Sequence, residues 1–391
     1  MKVFLKSSLF LTILGFSVGF GQGGVSVPEA DSMMTSMQTR KDLDWIKAFN
    51  GTDLKDWDAK IKGQELNVDP NNTFKVKDGN LLVDYSDYTG NYNSRFGHLF
   101  YNKKFSHYVI KSTYTWWSKQ IAGGPGWANK NNGFMLHAQS AASMGKEQDF
   151  PISIEAQLLK NKTLNLCTPG TGASKLDGTA RTSHCWSAGE LPTQTVGQDT
   201  GVWIDITIIV LGDSIIHHYA QGKHVMSYIK PIYLSGGVGG YDKVTFDPLL
   251  KSKPPTPLKE GYITIQGESA PTRFKKIDIL NLTGCMDSTY KEYRDYHLNN
   301  DSTKCKVKNS TSVASKNGLL RNQVNFSGRT ALVAESGQHT LKIMDMTGKV
   351  LFEQTAEGKY AYDVSSVKNS GIYWVELKGQ VKTYYGKVVL F

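Results

Sequence analysis

The sequence predicts an all-β protein, and two observations carry this prediction. Short segments of alternating apolar and polar residues recur along most of the chain, with turn signals between them and no long helical periodicity. The composition agrees, because 38 glycines supply turns while 19 tyrosines, 16 phenylalanines and 8 tryptophans favour strands. Such spacing is typical of a β-sandwich or jelly roll, and a separate run of strands near the C-terminal end predicts a second, small Ig-like β-sandwich.

Length and charge narrow the functional classes. With 391 residues, 39% of them apolar and 20% charged, the chain can form two or three domains and should mostly fold. The formal net charge of +10 would by itself permit a nucleic acid or an anionic surface as partner. The lysines are scattered singly through strands and turns, with no long basic run, so we expect no nucleic-acid partner.

The first residues predict a secretory signal peptide over 1–21. Lys2 and Lys6 precede an apolar run over 9–20, and small residues over 19–24 follow it. The run is short for a membrane span, no second apolar segment follows, and no cysteine near the cleavage site indicates a lipoprotein. We therefore expect export through the periplasm, no transmembrane segment after cleavage, and a polar linker over 22–44.

The first sandwich is predicted over 45–283. The segment 73–85, TFKVKDGNLLVDY, is a hairpin with Asp78 and Gly79 at its turn. Further alternating segments follow it along the chain, in the order HYVIKSTYTWW, NGFMLHAQ, ISIEAQLL, GVWIDITIIVLGDSIIHHYAQGKHVMSY and GYITIQGESAPTRFKKIDILNL.

Four cysteines in an exported chain predict two disulfides. Four cysteines permit three pairings, and proximity favours Cys167 with Cys185 and Cys285 with Cys305. Each bridge could contribute roughly 3 kcal/mol by loop entropy. Structural zinc is the alternative, but no Cys-x-x-Cys spacing exists. The second pair encloses a polar, tyrosine-rich stretch, which predicts a disulfide-closed appendage over 284–306.

The C-terminal part of the chain is predicted to begin with a linker over 307–319, which has few apolar residues. Alternating strands then cover 320–391. Thr347–Gly348 and Asn369–Gly371 mark turns between these strands.

Two stretches resemble known families. Residues 45–282 are similar to the 3-keto-disaccharide hydrolase family in the pieces FNGTDLKDW, FKVKDGNLLVDY, NNGFMLHAQ, PISIEAQLL, NLCTPGT and GYITIQGESAPTRFKKIDILNL. That resemblance implies a concanavalin-like jelly roll, the lectin and glucanase fold, and a (3-keto-)disaccharide or related glycoside as substrate. It also implies that Cys167 and Cys185 pair.

The last 70 or so residues resemble the type A sorting domain of the type IX secretion system, in LKIMDMTGKVL, SGIYWVELK and the ending GKVVLF. This second resemblance implies the outer-membrane secretion machinery as a partner, and a secreted or cell-surface location. A carbohydrate-binding or fibronectin-like module is the alternative for this region.

Strand alternation predicts a binding cleft. In NGFMLHAQ, SIEAQLL and GYITIQGES, apolar residues alternate with a second set that contains the polar residues. The two sets lie on opposite faces of each strand. In a jelly roll the apolar faces meet between the sheets, so one polar face becomes the cleft. We expect the following side chains to converge there: His137, Glu155, Gln157, Gln266 and Glu268.

These residues suggest a chemistry. Glycosidic cleavage needs a proton donor and usually a second carboxylate, for which Glu155 and Glu268 are the candidates. Glucanases of the fold implied above carry Glu-x-Asp-x-x-Glu on one strand, whereas here Gln157 and Lys160 replace the later carboxylates, which argues against ordinary retaining chemistry. In a 3-keto sugar the ketone acidifies a neighbouring carbon-bound hydrogen, so one base with an electrophile suffices. His137, Glu155 and a bound divalent metal could supply these.

Each candidate has a plainer interpretation. Glu155 and Gln157 could be ordinary exposed strand residues, His137 a half-buried histidine, and Glu268 a strand end. His217 and His218, adjacent on a strand, point to opposite faces and cannot easily bind one ion, so together with His224 they are predicted to lie on the surface.

The aromatic and cleft-rim candidates follow from local sequence. Trp116, Trp117 and Trp127 could stack on sugar rings. Trp127 lies in a glycine-rich loop and is the best stacking candidate, whereas Trp116 is predicted to be core. His184, beside Cys185, could line the rim of the cleft.

The leading hypothesis is a secreted glycan-active enzyme, a hydrolase or lyase acting on keto-sugar glycosides. One alternative is a lectin-like domain that binds carbohydrate without turnover, and another is a surface adhesin. An enzyme should have a base of perturbed pKa in a cleft. A lectin should show aromatic platforms and amides without a buried carboxylate.

Overall fold

The computed structural model describes residues 26–160, 163–180, 184–186, 200–236, 238–241, 247–308 and 323–390. The predicted signal peptide over 1–21 and most of the predicted linker over 307–319 lie outside these residues. The chain divides into two compact units between Lys306 and Val307.

The first unit contains two large antiparallel sheets, and its strands are numbered along the chain. Within the described residues the ten-stranded sheet has the order β10-β14-β13-β12-β6-β17-β4-β3, with β1 also paired to β17 and β15 to β14. Its strands are β1 Ile46–Lys47, β3 Phe74–Lys77, β4 Asn80–Val83, β6 His107–Trp116, β10 Thr171–Ser174, β12 Ile204–Leu211, β13 Ile215–Ala220, β14 Lys223–Tyr233, β15 Thr256–Pro257 and β17 Thr272–Asn281.

The seven-stranded sheet, again counted over the described residues, has the order β11-β9-β8-β7-β16-β5-β2. Its strands are β2 Trp57–Ile61, β5 Gly97–Phe105, β7 Asn131–Ala138, β8 Ile154–Leu159, β9 Asn165–Cys167, β11 Cys185–Trp186 and β16 Gly261–Gly267.

The chain crosses repeatedly between these sheets, since β5 and β6, β6 and β7, and β16 and β17 lie in different sheets. Alternating side chains of both sheets then meet in one apolar core, which includes Phe134, Ile154 and Ile265 from the seven-stranded sheet and Ile110 and Ile208 from the other. The prediction of an all-β jelly-roll sandwich is confirmed.

The prediction of a linker over 22–44 is wrong in part, because Val27–Thr39 form helix α1. A capping box between Ser26 and Glu29 begins this helix, satisfying backbone groups that would otherwise lack partners. Ala30, Met34 and Met37 are buried in a cluster with Tyr219 and other residues on the outer face of the ten-stranded sheet. The helix is therefore part of the sandwich, held there by its apolar side chains.

The prediction that His217 and His218 lie on the surface is also wrong. Both are fully buried. His218 contacts the Leu164 carbonyl through Nδ1 at 2.9 Å and the Tyr228 hydroxyl through Nε2 at 3.1 Å. His217 pairs with the Ser227 hydroxyl at 2.7 Å. The two residues are adjacent on β13, so their rings lie on opposite faces of the sheet, and each has its own partner.

The remaining helical turns of the first unit are short. They are α2, Pro248–Lys251, and the 3₁₀ turns Gly126–Ala128, Ala141–Ser143 and Ser302–Lys304.

Two disulfides form as predicted, Cys167–Cys185 and Cys285–Cys305. The second closes the appendage, in which β18, Thr283–Gly284, pairs in parallel with β19, Asn299–Asn300. The appendage is joined to the start of the unit by two ion pairs. Arg40 contacts Asp295 at 2.7 Å, and Arg294 contacts Asp44 at 2.6 Å.

The second unit is a small sandwich of its own. Its core includes Leu341, Ile343, Tyr362, Val375 and Leu377. In the part of the chain that the structure describes, three strands form one sheet and four form the other: β20 Val324–Ser327, β21 Thr330–Val333 and β24 Tyr360–Asp363, then β22 Gln338–Met344, β23 Val350–Glu357, β25 Gly371–Gly379 and β26 Thr383–Leu390. Among all described residues, no helix has the length and apolarity needed to cross a membrane.

Candidate active site

A row of polar residues crosses the outer face of the seven-stranded sheet. Gln157 on β8 lies opposite Gly133 on β7 and Asn165 on β9. Gln266 on β16 lies opposite His98 on β5. Since strand residues two apart share a face, Glu155 projects on the same side as Gln157, one pleat further along β8.

A cavity of about 450 Å³ opens over this row. It brings together four of the predicted residues, Glu155, Gln157, Glu268 and Trp127, and it includes His184 at its wall as expected. The remaining lining residues are Asn131, Phe150, Leu159, Asn165, Pro169, Cys185 and Trp186. Gln266 lies beneath this surface, fully buried, and its side-chain amide contacts Met135 Sδ at 3.2 Å.

Glu155 is almost fully buried, with 4% of its surface exposed. Its carboxyl fits because β7 carries glycine at position 133, where a Cβ would clash with Glu155 Oε1 and lie 3.0 Å from Gln266 Oε1. Burial raises the pKa of Glu155 well above its usual range, and the charge of Glu268 raises it further.

Glu268 follows the last residue of β16 and is also buried, with 3% exposed. Its backbone is fixed on both sides. The Tyr92 hydroxyl donates to the Gly267 carbonyl at 2.9 Å, and the Ser269 amide donates to the Tyr85 hydroxyl at 2.8 Å. Burial raises the pKa of Glu268 above its usual range. Two carboxyls of raised pKa therefore share one cavity.

Buried oxygen atoms without a hydrogen-bond partner among the described residues cluster at this site. All are acceptors, and they belong to Asn131, Asn165, Glu155, Gln266 and Glu268. Buried polar atoms are normally paired, so such a cluster suits a ligand that brings several hydroxyl donors.

Asn131 and Asn165 were not among the predicted site residues, although the alternation contained a signal for both. Asn131 precedes Gly133 by two residues and so shares its face. Asn165 is the register partner of Gln157, and its amide lies 3.5 Å from the Gln157 side-chain oxygen.

The prediction that His137 lies in the cleft is wrong. Its φ of 49° and a register irregularity between Tyr262 and Thr264 mark a bulge between β7 and β16, and a bulge redirects the side chain that follows it. His137 points into the apolar core, where its ring packs edge-on against Tyr108 at 5.6 Å and Nε2 contacts the Gly212 carbonyl at 3.2 Å. Burial lowers the pKa of His137 to about 4.

Of the three candidate tryptophans, Trp127 is the one that lines the cavity. It is 57% exposed, and its ring is stacked on the buried Phe96 with centroids 6.2 Å apart and an interplanar angle of 19°. Trp116 belongs to the core, as predicted. The guanidinium of Arg273 lies 4.4 Å from the centre of the Trp117 ring, outside the cavity.

The first disulfide belongs to the wall of the cavity. Glu155 pairs with Cys167 on β9, which pairs in turn with Cys185 on β11. The bridge between these two strands thus lies in the same cross-strand row as the Glu155 carboxyl. β11 is the outermost strand of this sheet among the described residues, and the disulfide joins it to β9 beside His184 and Trp186, which line the cavity.

A divalent metal would require a set of ligands. Within the described residues, no group of three or more His, Cys, Asp or Glu side chains could hold a metal ion. The cavity contributes two carboxyls and several amide oxygens, which are ligands for a hard cation such as Ca²⁺ or Mg²⁺ rather than a transition-metal set.

Comparison with known proteins bears on this cavity. Residues 44–280 match the model of the 3-keto-alpha-glucoside-1,2-lyase-like domain. The chain belongs to this family. Membership indicates a carbohydrate-related function for the sandwich that holds Glu155 and Glu268.

The second unit has its own match. Residues 321–390 match the secretion system C-terminal sorting domain. This domain implies export to a cell-surface or secreted location and, as a partner, the type IX secretion machinery. Among curated proteins, no sequence matches the chain.

Solved structures with a similar course of the chain are distant in sequence. A Parabacteroides distasonis protein described as a glycosyl hydrolase is 17% identical, covering 61% of this chain and 99% of its own, with a TM-score of 0.35. A Bacillus licheniformis β-glucanase is 8% identical, covering 61% and 98%, with a TM-score of 0.33. The carbohydrate-binding module CBM66 of Bacillus subtilis is 10% identical, covering 48% and 82%, with a TM-score of 0.28.

Proposed function

We propose that this protein is an exported enzyme that cleaves the glycosidic bond of 3-keto glycosides by elimination, followed by addition of water where the net reaction is hydrolysis. One observation carries the proposal. Glu155 and Glu268 are buried in one cavity, burial raises the pKa of both, and each has a carboxyl oxygen without a partner among the described residues. Groups of this kind are typical of acid–base sites.

The proposed chemistry needs the form of the pair that carries one proton, and that form is favoured by the interaction between the two carboxyls. Two like charges in a buried site disfavour each other, so ionisation of one carboxyl raises the pKa of the second. We assign the base to Glu155, which lies on β8 beside Gln157, and the acid to Glu268, whose pKa burial raises to about 8.

The chemistry follows from these roles. Glu155 removes the proton from C2, which the neighbouring C3 ketone acidifies. The C1–O bond breaks as a C1=C2 double bond forms, and Glu268 gives its proton to the departing oxygen. The products are an unsaturated keto sugar and a free alcohol. For hydrolysis, Glu268 then takes a proton from water that attacks C1, and Glu155 returns its proton to C2.

The rest of the cavity would bind the sugar. The unpaired acceptors of Asn131 and Asn165, which line the cavity, suit its hydroxyl groups. Since His137 lies in the core, the electrophile for the ketone oxygen must come from other donors. The amide N–H groups of Gln157 and Asn165 are the candidates that line the cavity.

The test uses 4-nitrophenyl and alkyl 3-keto-glucosides, together with their native parents, assayed with and without a chelator. We expect turnover of the keto compounds alone, with one deuterium at C2 of the hydrolysis product in D₂O. Glu155→Gln should abolish both reactions. Glu268→Gln should spare the nitrophenyl substrate, whose leaving group needs no proton, far more than the alkyl one.

Glu260→Gln provides the matched control, since Glu260 is exposed and contacts only Lys104, at 3.7 Å, among the ion pairs of the described residues. Full activity of Glu155→Gln on the nitrophenyl compound would refute the base assignment. Turnover without deuterium at C2 would refute elimination.

A lectin-like function is the second candidate, and the exposed Trp127 ring beside several amides favours it. Under this alternative the wild-type protein would bind disaccharides in calorimetry without converting either native or keto forms. The buried carboxyl pair favours the enzyme, because a binding site gains nothing from two carboxyls that destabilise each other.

A further inference from the structure

Trp127 lies on the same side of the cavity as Glu268. We propose, on the basis of the function above, that Trp127 is the platform for the leaving group, so that the preferred substrates carry a leaving group with a flat apolar face. That class comprises a second pyranose ring or an aromatic alcohol. Small alkyl leaving groups would gain nothing from the platform.

The loop that carries Trp127 is anchored to the residue next to Glu268. The Gln120 side chain donates to the Ser269 hydroxyl at 2.8 Å and to the Pro125 carbonyl at 2.8 Å. The Ile121 amide donates to the Ser269 carbonyl at 3.2 Å. These bonds fix the loop relative to the acid.

Close packing fixes the same loop. A Cβ on Gly124 would lie 2.6 Å from both Gln120 Nε2 and Ser269 Oγ, so the loop approaches Ser269 as nearly as glycine allows. Trp127 lies in the 3₁₀ turn Gly126–Ala128, and its ring stacks on Phe96. Since Phe96 is 6% exposed, it forms a rigid base and leaves the opposite face of the indole open.

The position of the acid decides which part of the substrate meets this face. Glu268 protonates the glycosidic oxygen, so the leaving group lies on its side of the scissile bond. Glu155 and Gln157 lie on β8, whereas Glu268 and the Trp127 loop are joined through Ser269. The keto-sugar ring therefore occupies the β8 side, and the leaving group extends towards Trp127. Aromatic rings stack well on flat apolar faces.

The experiment compares kcat/KM for three 3-keto-glucosides with phenyl, glucosyl and methyl leaving groups. Trp127→Ala should lower kcat/KM about tenfold for the first two, the effect of losing one aromatic contact. The methyl compound should change less than about twofold on the same grounds. Trp127→Phe should retain most of the wild-type kcat/KM. Trp203→Ala, which removes an exposed tryptophan outside the cavity lining, should have no effect.

The outcomes separate the two proposals. If the wild-type protein cleaves none of the three compounds, the proposed function fails. If it cleaves them and Trp127→Ala lowers all three equally, or none, the function stands and the platform assignment is overturned. Calorimetry of Glu155→Gln with the phenyl compound, with and without Trp127→Ala, gives the same contrast in binding and does not depend on turnover.

Discussion

The carboxyl of Glu155 occupies the space that a side chain at position 133 would need, because Gly133 lies beside it on the neighbouring strand. This relationship explains how a strand of the sheet can bury a carboxyl at its outer face. The glycine has an ordinary backbone conformation, so its role is to leave space and not to form a turn.

Gly133→Ala should therefore displace Glu155 and Gln266 while leaving the strand intact. We expect kcat/KM to fall by about a hundredfold, since misplacement of a reacting group by about 1 Å costs that much. The free energy of unfolding should fall by about 1–3 kcal/mol, the usual cost of overpacking. Gly126→Ala is the control, because its added Cβ would meet no atom within 4 Å. Equal activity of the two variants would contradict this account.

Stability should depend on pH through Glu268. Burial raises its pKa from 4.5 to about 8, so the folded state holds the proton more tightly than the unfolded state. The contribution of Glu268 to the free energy of unfolding should then decrease as pH rises from about 4.5 to about 8, and level off above that range. Urea unfolding at several pH values measures this. Glu268→Gln should flatten the decrease, and an unchanged slope in that variant would exclude Glu268 as its source.

The two disulfides should differ in their effect on catalysis. Replacing either pair by serine should lower the free energy of unfolding by up to about 3 kcal/mol, as expected for loops of this length. Only the Cys167 and Cys185 replacement should also lower kcat/KM, because that bridge holds the wall of the cavity. The Cys285 and Cys305 double variant is the matched control, and equal kinetic losses in both would show that stability alone is responsible.

Removing the second unit should affect location and not activity. The sorting domain matches residues 321–390, and the first unit has its own core. A chain that ends at Lys308 should remain in the periplasm of a type IX secreting host, with kcat unchanged after purification. Cell fractionation with an antibody to the first unit measures this. Arrival of the shortened chain outside the cell would contradict a sorting role.

Much of the fold and part of the site could be predicted because strand alternation has a fixed period. It placed Glu155, Gln157 and Gln266 on the face opposite the core. It failed at His137, because a bulge adds a residue to one strand and leaves no mark in a period-two pattern. Glu268 could be predicted although it lies beyond the end of β16, because it follows Gln266 by two residues and the alternation assigns both to the same face.

Helix α1 was missed because its apolar residues are few and separated by small polar ones. Its start was visible nonetheless, since Ser26 and Glu29 have the spacing of a capping box and Pro28 lies in the first turn. The error on His217 follows from the same omission, because the outer face of the sheet is buried only where something covers it. His218 lies on the opposite face, with partners in the core between the sheets.

The joining of Arg40 to Asp295 has a consequence for the order of assembly. The two residues are 255 positions apart, and β1 likewise waits for its partner β17. Strand β1 and the Arg40 side chain therefore gain these partners only when residues near the end of the unit have folded. Contacts of such long range form late and slowly. The appendage packs Tyr296 and Leu298 against the cluster that contains the α1 side chains, so a chain without it would leave part of that layer uncovered.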